Sequence, residues 1–280
     1  MVSEVGVGIE LPPDFAQWLA LREPADVAAR STELVDAVRA TLTGDGPFVV
    51  HDLGAGTGSL GRWLAPLLPG PQHWTLYDQD PDLLARAAAG RPASAADGTP
   101  VTVRTRRVDL TRLTAADFRG AHLVTASALL DMLTADELAH LVAVCAEAGC
   151  PTLFLISVTG EVRLTPADPL DAEVAAAFNA HQRRTHAGRR LLGPDAPAAC
   201  AAAFARHGVT VHTRPSPWRL GPEQGALAAQ WFTGWLDAAR EQCPELADRT
   251  REYARRRLAE AETGRLWVQV DHADLLAVPR

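Results

Sequence analysis

Apolar residues along the chain fall into two kinds of run: short stretches bounded by turn residues, and longer ones in which they recur every three to four positions. Phe48 to Leu53 (FVVHDL), Trp74 to Tyr77 (WTLY), Val101 to Arg107, Ala121 to Ala126 (AHLVTA) and Pro151 to Val158 (PTLFLISV) are of the first kind and predict five strands. Between them, Leu60, Trp63, Leu64 and Leu67, the stretch Leu83 to Ala89, and a segment opened by Thr134 with Glu137 three residues on have helical spacing, the last with a capping box. Residues 13 to 42 predict two helices broken near Pro24. Strands alternating with helices predict an α/β fold with a mostly parallel sheet covered on both faces.

After residue 158 the alternation lapses. Asp168-Pro169 predicts a helix start that runs on toward residue 187. A further helix from about Pro197 to His207 leads to Val209–Thr213, and the last strand is expected over Arg265–Val270. Residues 222 to 262 are expected to be helical, with Trp231 and Trp235 as core and the charged stretch Arg249 to Glu262 as a solvated helix. The expected organisation is one domain: an N-terminal helical lid (1–45), a ligand-binding core (46–158), a helical substrate insertion (159–193) and the rest of the sheet (194–280).

Composition removes whole classes of chemistry. All 27 basic residues are Arg, so Schiff-base catalysis, a phosphate-binding loop ending in Gly-Lys and a kinase-type Lys are excluded. A net charge of −7 gives no footprint for nucleic acid. The opening MVSEVGVGIELPPDF has no basic leader and no stretch approaches membrane-span length, so a cytoplasmic protein without a membrane partner is expected. Cys145, Cys150, Cys200 and Cys243 form no CxxC pair, and no metal site is expected.

The sharpest motif is HDLGAGTG, in which Asp52 ends the first strand and Gly54, Gly56 and Gly58 form the turn into a helix. Glycines there let the backbone approach a ligand closely, beside the free N–H groups of a helix start. A dinucleotide fingerprint would need a third glycine at 59, where Ser59 stands, and a carboxylate before the turn would repel a pyrophosphate. Asp78 ends the second strand and Asp109 the third. An acid at the second strand tip suits ribose hydroxyls, and one at the third can accept from an exocyclic amine, so three acids at successive tips fit a cationic adenosine ligand. Asp109 followed by Leu-Thr suits a plain turn as well, and His51, interrupting an apolar strand, reads as a hydrogen-bonded core residue.

HDLGAGTG, LYDQD and VDL together resemble the cofactor motifs of class I S-adenosylmethionine-dependent methyltransferases over roughly residues 46 to 160. The resemblance implies a seven-stranded, Rossmann-like sheet with its last strand antiparallel, S-adenosyl-L-methionine as cofactor and S-adenosyl-L-homocysteine as product. It implies that Gly54, Ala55, Gly56 and Gly58 lie against the methionine and ribose portions, and that Asp52 orients the turn or meets the amino group. Asp78 would take the ribose, Gln79, Asp109 and Leu110 the adenine, and Ser127 the neighbourhood of the methyl group. About 40 residues of helix between the last two strands exceed the family's usual connection.

The expected reaction is methyl transfer to a small-molecule acceptor. Asp131 and His181 are candidate bases, although Asp131 reads equally as a solvated turn acid. HQRRTHAGRR places six basic-type side chains within ten residues, so His186, Arg189 and Arg190 could bind an anionic acceptor, or simply cap a solvated helix end. Trp18 and Arg22, one turn apart on the first helix, are further substrate candidates, with core packing the alternative for Trp18. Two other readings stand beside this one: a non-catalytic binding protein that keeps the donor pocket, and a nicotinamide-dependent oxidoreductase with an atypical glycine turn.

Overall fold

The computed structural model describes residues 15–44, 46–186 and 188–279, with His186 described in its backbone alone. The opening stretch read for a leader, and the first residues of the N-terminal helical span, lie outside the described residues. Helix α1 (Phe15–Ala29) leads to α2 (Thr32–Thr41), and then strands and helices alternate as β1 (Phe48–Leu53), α3 (Ser59–Leu64), β2 (Gln72–Asp78), α4 (Pro81–Ala89), β3 (Val101–Arg107), β4 (Leu123–Ser127), α5 (Ala135–Ala148) and β5 (Thr152–Thr165). Helix α6 (Asp171–Gln182) is followed by a two-stranded hairpin, β6 (Thr185–His186) and β7 (Arg189–Arg190). The chain continues with α7 (Ala196–Arg206), β8 (Thr210–Pro215), β9 (Trp218–Leu220), α8 (Gly225–Gln242), α9 (Leu246–Arg249), α10 (Arg251–Glu262) and β10 (Trp267–Val278).

The main sheet has the order β3-β2-β1-β4-β5-β10-β8. Strands β1 to β5 pair in parallel, and β10 runs antiparallel to both its neighbours, which is the seven-stranded mixed sheet expected. Short β9 adds an eighth strand beside the first residues of β10. One face is covered by α2, α3 and α4 through Leu34, Val38, Leu64 and Leu84 against Val50, Trp74 and Leu155. The other is covered by α5 and α7 through Leu141, Cys145, Cys200 and Phe204 against Val124, Phe154 and Leu275. Each fully buried Leu or Phe contributes roughly 1.5–3 kcal/mol. His51 is one of the buried polar residues: its Nδ1 lies 2.7 Å from the Tyr77 hydroxyl, its ring stacks on Tyr77, and burial lowers its pKa to about 4.

Four departures from the sequence reading matter for the site. The first helix runs through Pro24. The break comes at Ser31, which caps α2 with its hydroxyl and gives its amide to Asp274 Oδ2 at 2.7 Å, fixing the chain between the two helices. Strands β5 and β10 each run past the expected ends because they pair with one another from Thr152↔Ala277 out to Thr165↔Trp267, with register breaks that include one between Val270 and His272. This ribbon projects beyond the parallel strands and carries a third cluster built from α1, α6, α8, α10 and β9, with Val174, Trp218, Phe232, Trp235 and Tyr253 at its centre. Helix α6 stops at Gln182, so the arginine-rich segment is a helix end followed by a hairpin. Finally, α10 is no simple solvated helix, because Tyr253, Arg257 and Ala261 are buried. The Arg257 guanidinium, 1% exposed, bonds both oxygens of Asp171 at 2.8 Å, Glu260 at 2.9 Å and the Pro166 carbonyl at 2.6 Å, tying α10 to the start of α6.

Candidate active site

Sheet order reverses between β1 and β4, and in open α/β sheets the crevice outside the carboxyl ends of such strands is where ligands bind. Here it is bounded by the glycine turn. Gly54, Gly56 and Gly58 have φ of 63°, 53° and 80°, a region that side-chain-bearing residues resist. A Cβ on Gly56 would lie 3.2 Å from Leu19, so α1 closes directly over the turn. The next strand pins it: Ala55 N–H donates to the Tyr77 carbonyl at 2.9 Å, and Gly56 N–H to Asp78 Oδ2 at 2.8 Å. Asp78 Oδ1 accepts from Asp80 N–H at 3.0 Å, so one carboxylate organises the turns after both β1 and β2.

A cavity of about 1380 Å³ opens over these strand ends. Asp52, Gly54, Ala55, Gly56, Asp78, Gln79, Asp109, Leu110 and Ser127 line it together. Gly58 does not; its amide closes the turn on the Ala55 carbonyl, and a Cβ there would meet Ala87 at 3.1 Å. Asp52 is 1% exposed. Its Oδ1 accepts from Thr125 Oγ1 at 3.0 Å while Oδ2 has no partner, and burial, opposed by Thr125 and by Arg30, raises its pKa to about 7. Arg30, equally sunk in the cavity wall, bonds Ser59 Oγ at 3.3 Å and Ser127 Oγ at 3.2 Å, and its Nε is unpartnered. Burial holds the Arg30 pKa below its usual value. Asp109 caps the short turn after β3 by accepting from Thr111 N–H and Oγ1 through one oxygen, so the turn role and the place in the cavity wall coexist.

At its other end the cavity is walled by α1, the β5–β10 ribbon, β9, α6 and α8. Trp18, Arg22 and Asp131 are in this wall. The Arg22 guanidinium is held on both oxygens of Asp26 at 3.1 Å and lies 5.0 Å from the Trp218 ring, and Trp218 Nε1 donates to Asp26 at 3.0 Å. Burial raises the Asp131 pKa, with Arg22 opposing. Trp231 lines the cavity and stacks on Trp235, which belongs to the core behind it.

The arginine-rich segment is largely self-satisfied. Arg189 reaches the cavity, but its fork is occupied by Glu137 at 3.0 and 2.6 Å and by the Met132 carbonyl at 3.2 Å. Arg190 is exposed and outside the wall, and Arg183 pairs with Asp195. His181 is directed away as well: Nε2 lies 2.9 Å from Glu241 Oε2 and Nδ1 2.6 Å from Arg184, because the face of α6 that carries it packs on α8. It is not among the residues that line this cavity. The side chain of His186 lies outside the described residues.

Sequence reasoning passed over Asp26, Arg30, Asn179, Gln182, Trp218 and His272, all in the cavity wall. His272 is 4% exposed, its ring 5.3 Å from that of Trp218 and its Nδ1 unpartnered. Burial first, and then Arg22, lower its pKa to about 4. A lone histidine between two aspartates in an apolar run (DHADLL) was the available signal. Among the described residues no group of three or more His, Cys, Asp or Glu side chains is arranged to hold a metal ion, and no helix is long and apolar enough to cross a membrane.

No family model matches the chain, and no curated protein does. Among solved structures it is similar to a SAM-dependent methyltransferase from Geobacter sulfurreducens in complex with S-adenosyl-L-homocysteine, at 16% identity over 98% of this chain and 100% of that one, TM-score 0.46. It is similar also to the cyclopropane synthase MmaA2 from Mycobacterium tuberculosis, at 14% identity over 95% and 94%, TM-score 0.48. A third is a SAM-dependent methyltransferase from Thiobacillus denitrificans, again with S-adenosyl-L-homocysteine, at 14% identity over 97% and 100%, TM-score 0.44.

Proposed function

We propose that the protein binds S-adenosyl-L-methionine and transfers its methyl group to a small molecule held in the same cavity. One observation carries the reading: the carboxylates at the ends of β1, β2 and β3 line one cavity with a left-handed glycine turn, and the buried Asp52 keeps an oxygen without a partner. An unpartnered buried carboxylate oxygen is costly unless a ligand completes it. An ammonium completes it; a pyrophosphate would be repelled, which disfavours a nicotinamide dinucleotide.

The residues fit the donor as follows. Asp78 already accepts two backbone N–H groups, and a carboxylate has about four acceptor sites. Two remain for ribose hydroxyls. Asp109 and Leu110 would border the adenine, Asp52 would take the amino group, and Arg30, with its spare Nε, is the cation nearest to that end for a carboxylate. When bound, the donor supplies a methyl group on sulfonium sulfur, which leaves by direct displacement and needs no proton on the departing thioether. The chain's own work is then alignment and exclusion of water. Leu19 over the glycine turn, and Glu23 bonded to Arg62 of α3 at 2.5 and 2.9 Å, hold α1 as the cover. A volume of 1380 Å³ exceeds the roughly 300–1,000 Å³ of a single-ligand pocket, leaving room for an acceptor beside the donor. Calorimetric titration with S-adenosyl-L-methionine, S-adenosyl-L-homocysteine and NAD tests the reading. Binding of the first two without the third supports it, and absence of both sinks it.

A further inference from the structure

We propose that the acceptor is an uncharged aromatic compound bearing a hydroxyl or amine, its ring lodged among Trp18, Phe178, Trp218 and Trp231 and its donor hydrogen received by His272. The inference rests on the methyl-transfer reading only for calling this ligand the acceptor; the binding site itself is argued from its walls.

Four aromatic rings from four elements, α1, α6, β9 and α8, line the end of the cavity away from the glycine turn. Its floor is one stretch of the β5–β10 ribbon, where Val158 pairs with His272 and Val162 with Val270, all four in the wall. Such a surface gains from burying a flat apolar ring. Its polar atoms lack donors. His272 has an unpartnered nitrogen in a ring almost wholly buried. Asn179 gives its Nδ2 to the Gly160 carbonyl at 2.9 Å, which assigns its orientation and leaves the buried Oδ1 without a partner. A neutral imidazole donates one hydrogen bond and accepts one; the His272 ring gives its N–H to the Val270 backbone, which leaves Nδ1 as the acceptor, and an amide oxygen accepts two. The groups left wanting are therefore acceptors, and a ligand with O–H or N–H completes them.

Charge disfavours an anionic acceptor. Eight Asp and Glu residues line the cavity against five arginines. Of these, Arg22 and Arg189 already hold carboxylates, each through Nε and one Nη. An incoming carboxylate or phosphate would meet guanidinium groups whose charge is already balanced by Asp26 and Glu137. In the transfer, the hydroxyl or amine hydrogen passes to the His272 ring as the acceptor atom bonds to the methyl carbon; the C–S bond pair stays on sulfur, and the proton leaves with solvent after release.

Four probes of one shape separate the possibilities: p-cresol, p-toluidine, 4-methylanisole and 4-methylbenzoate, titrated by ligand-observed NMR into the protein with and without saturating S-adenosyl-L-homocysteine. Cresol and toluidine are expected to bind about tenfold tighter than methylanisole, the scale of one well-placed hydrogen bond, with methylbenzoate weakest. His272→Phe, which keeps a ring against Trp218, should erase that preference and leave methylanisole binding and cofactor affinity unchanged. Equal binding of cresol and methylanisole by the wild-type protein, tightest binding of methylbenzoate, binding of none, or an unaltered preference in His272→Phe each overturns the proposal. The wild-type series stands without any variant. Loss of cofactor binding alone would overturn the donor reading and leave the probe preference measurable.

Discussion

With the ligand's ammonium on Asp52, affinity should depend on pH near neutrality, where a site built on an ordinary surface carboxylate is flat. The Asp52 carboxyl is 1% exposed, and burial, the Thr125 bond and Arg30 together leave its pKa at about 7. An ammonium binds the ionised form, so below that pKa the ligand must first displace a proton. For one such site the dissociation constant scales as 1 + 10^(pKa − pH), which makes binding about fivefold weaker at pH 6 than at pH 7 and approaching tenfold weaker for each further unit down. S-adenosyl-L-homocysteine is the better titrant, because it carries the amino group without the sulfonium. Calorimetry at pH 6 in two buffers of different ionisation enthalpy should count nearly one proton, about 0.9, released per ligand bound. Asp52→Asn should flatten the profile and weaken binding at pH 7.5 by about 1.5–3 kcal/mol, the range for a hydrogen bond to a charged group. A flat wild-type profile between pH 5.5 and 7.5, with no proton released, would refute the assignment of the ammonium to Asp52.

Asp78→Ala should weaken cofactor binding by at least about 1–3 kcal/mol, since it removes the ribose acceptor and frees the Gly56 and Asp80 amides; equilibrium dialysis with S-adenosyl-L-homocysteine checks it. Arg257→Ala leaves Asp171 in the α6–α10 network without its guanidinium and should cost about 3–5 kcal/mol in a urea transition, while the affinity of the folded variant for the cofactor stays near wild type. His51 and His272 have pKa values lowered to about 4, so the unfolded chain binds protons that the fold does not. Their share of stability is complete above pH 6.5 and is lost as pH falls toward 4. The melting temperature should decline over that window, and less steeply in His51→Phe or His272→Phe.

The glycine-turn end of the cavity was legible because its signals are local. Asp52, the three glycines, Asp78 and Asp109 each sit where a strand meets its turn, and strand ends in a parallel sheet converge whatever the long-range packing. The aromatic end of the cavity is made by pairing across more than 100 residues: β10 extends to Val278 between β5 on one side and β8 on the other, and the pairing with β5 sets His272 beside Val158. A strand predicted to stop at Val270 could not show this. Charge patterning misled for a related reason. The basic run around Arg189 looks free along the chain, yet Glu137, 52 residues away, and Asp195 supply its counter-charges. Asp26 and Arg30 were hidden because the expected break at Pro24 put them on a separate helix from Trp18 and Arg22, whereas α1 runs unbroken to Ala29. His181 shared an apolar face with Val174 and Phe178, but the neighbour that decides its role, Glu241 on α8, is distant in sequence.

A crystal structure of the protein with S-adenosyl-L-homocysteine tests the location and the identity of the ligand together. The ligand's amino group is expected on Asp52, its ribose hydroxyls on Asp78, its adenine between Asp109 and Leu110, and its sulfur turned toward the tryptophan-lined end that holds His272. A ligand bound elsewhere, or one in this cavity that leaves Asp52 and Asp78 untouched, would contradict it.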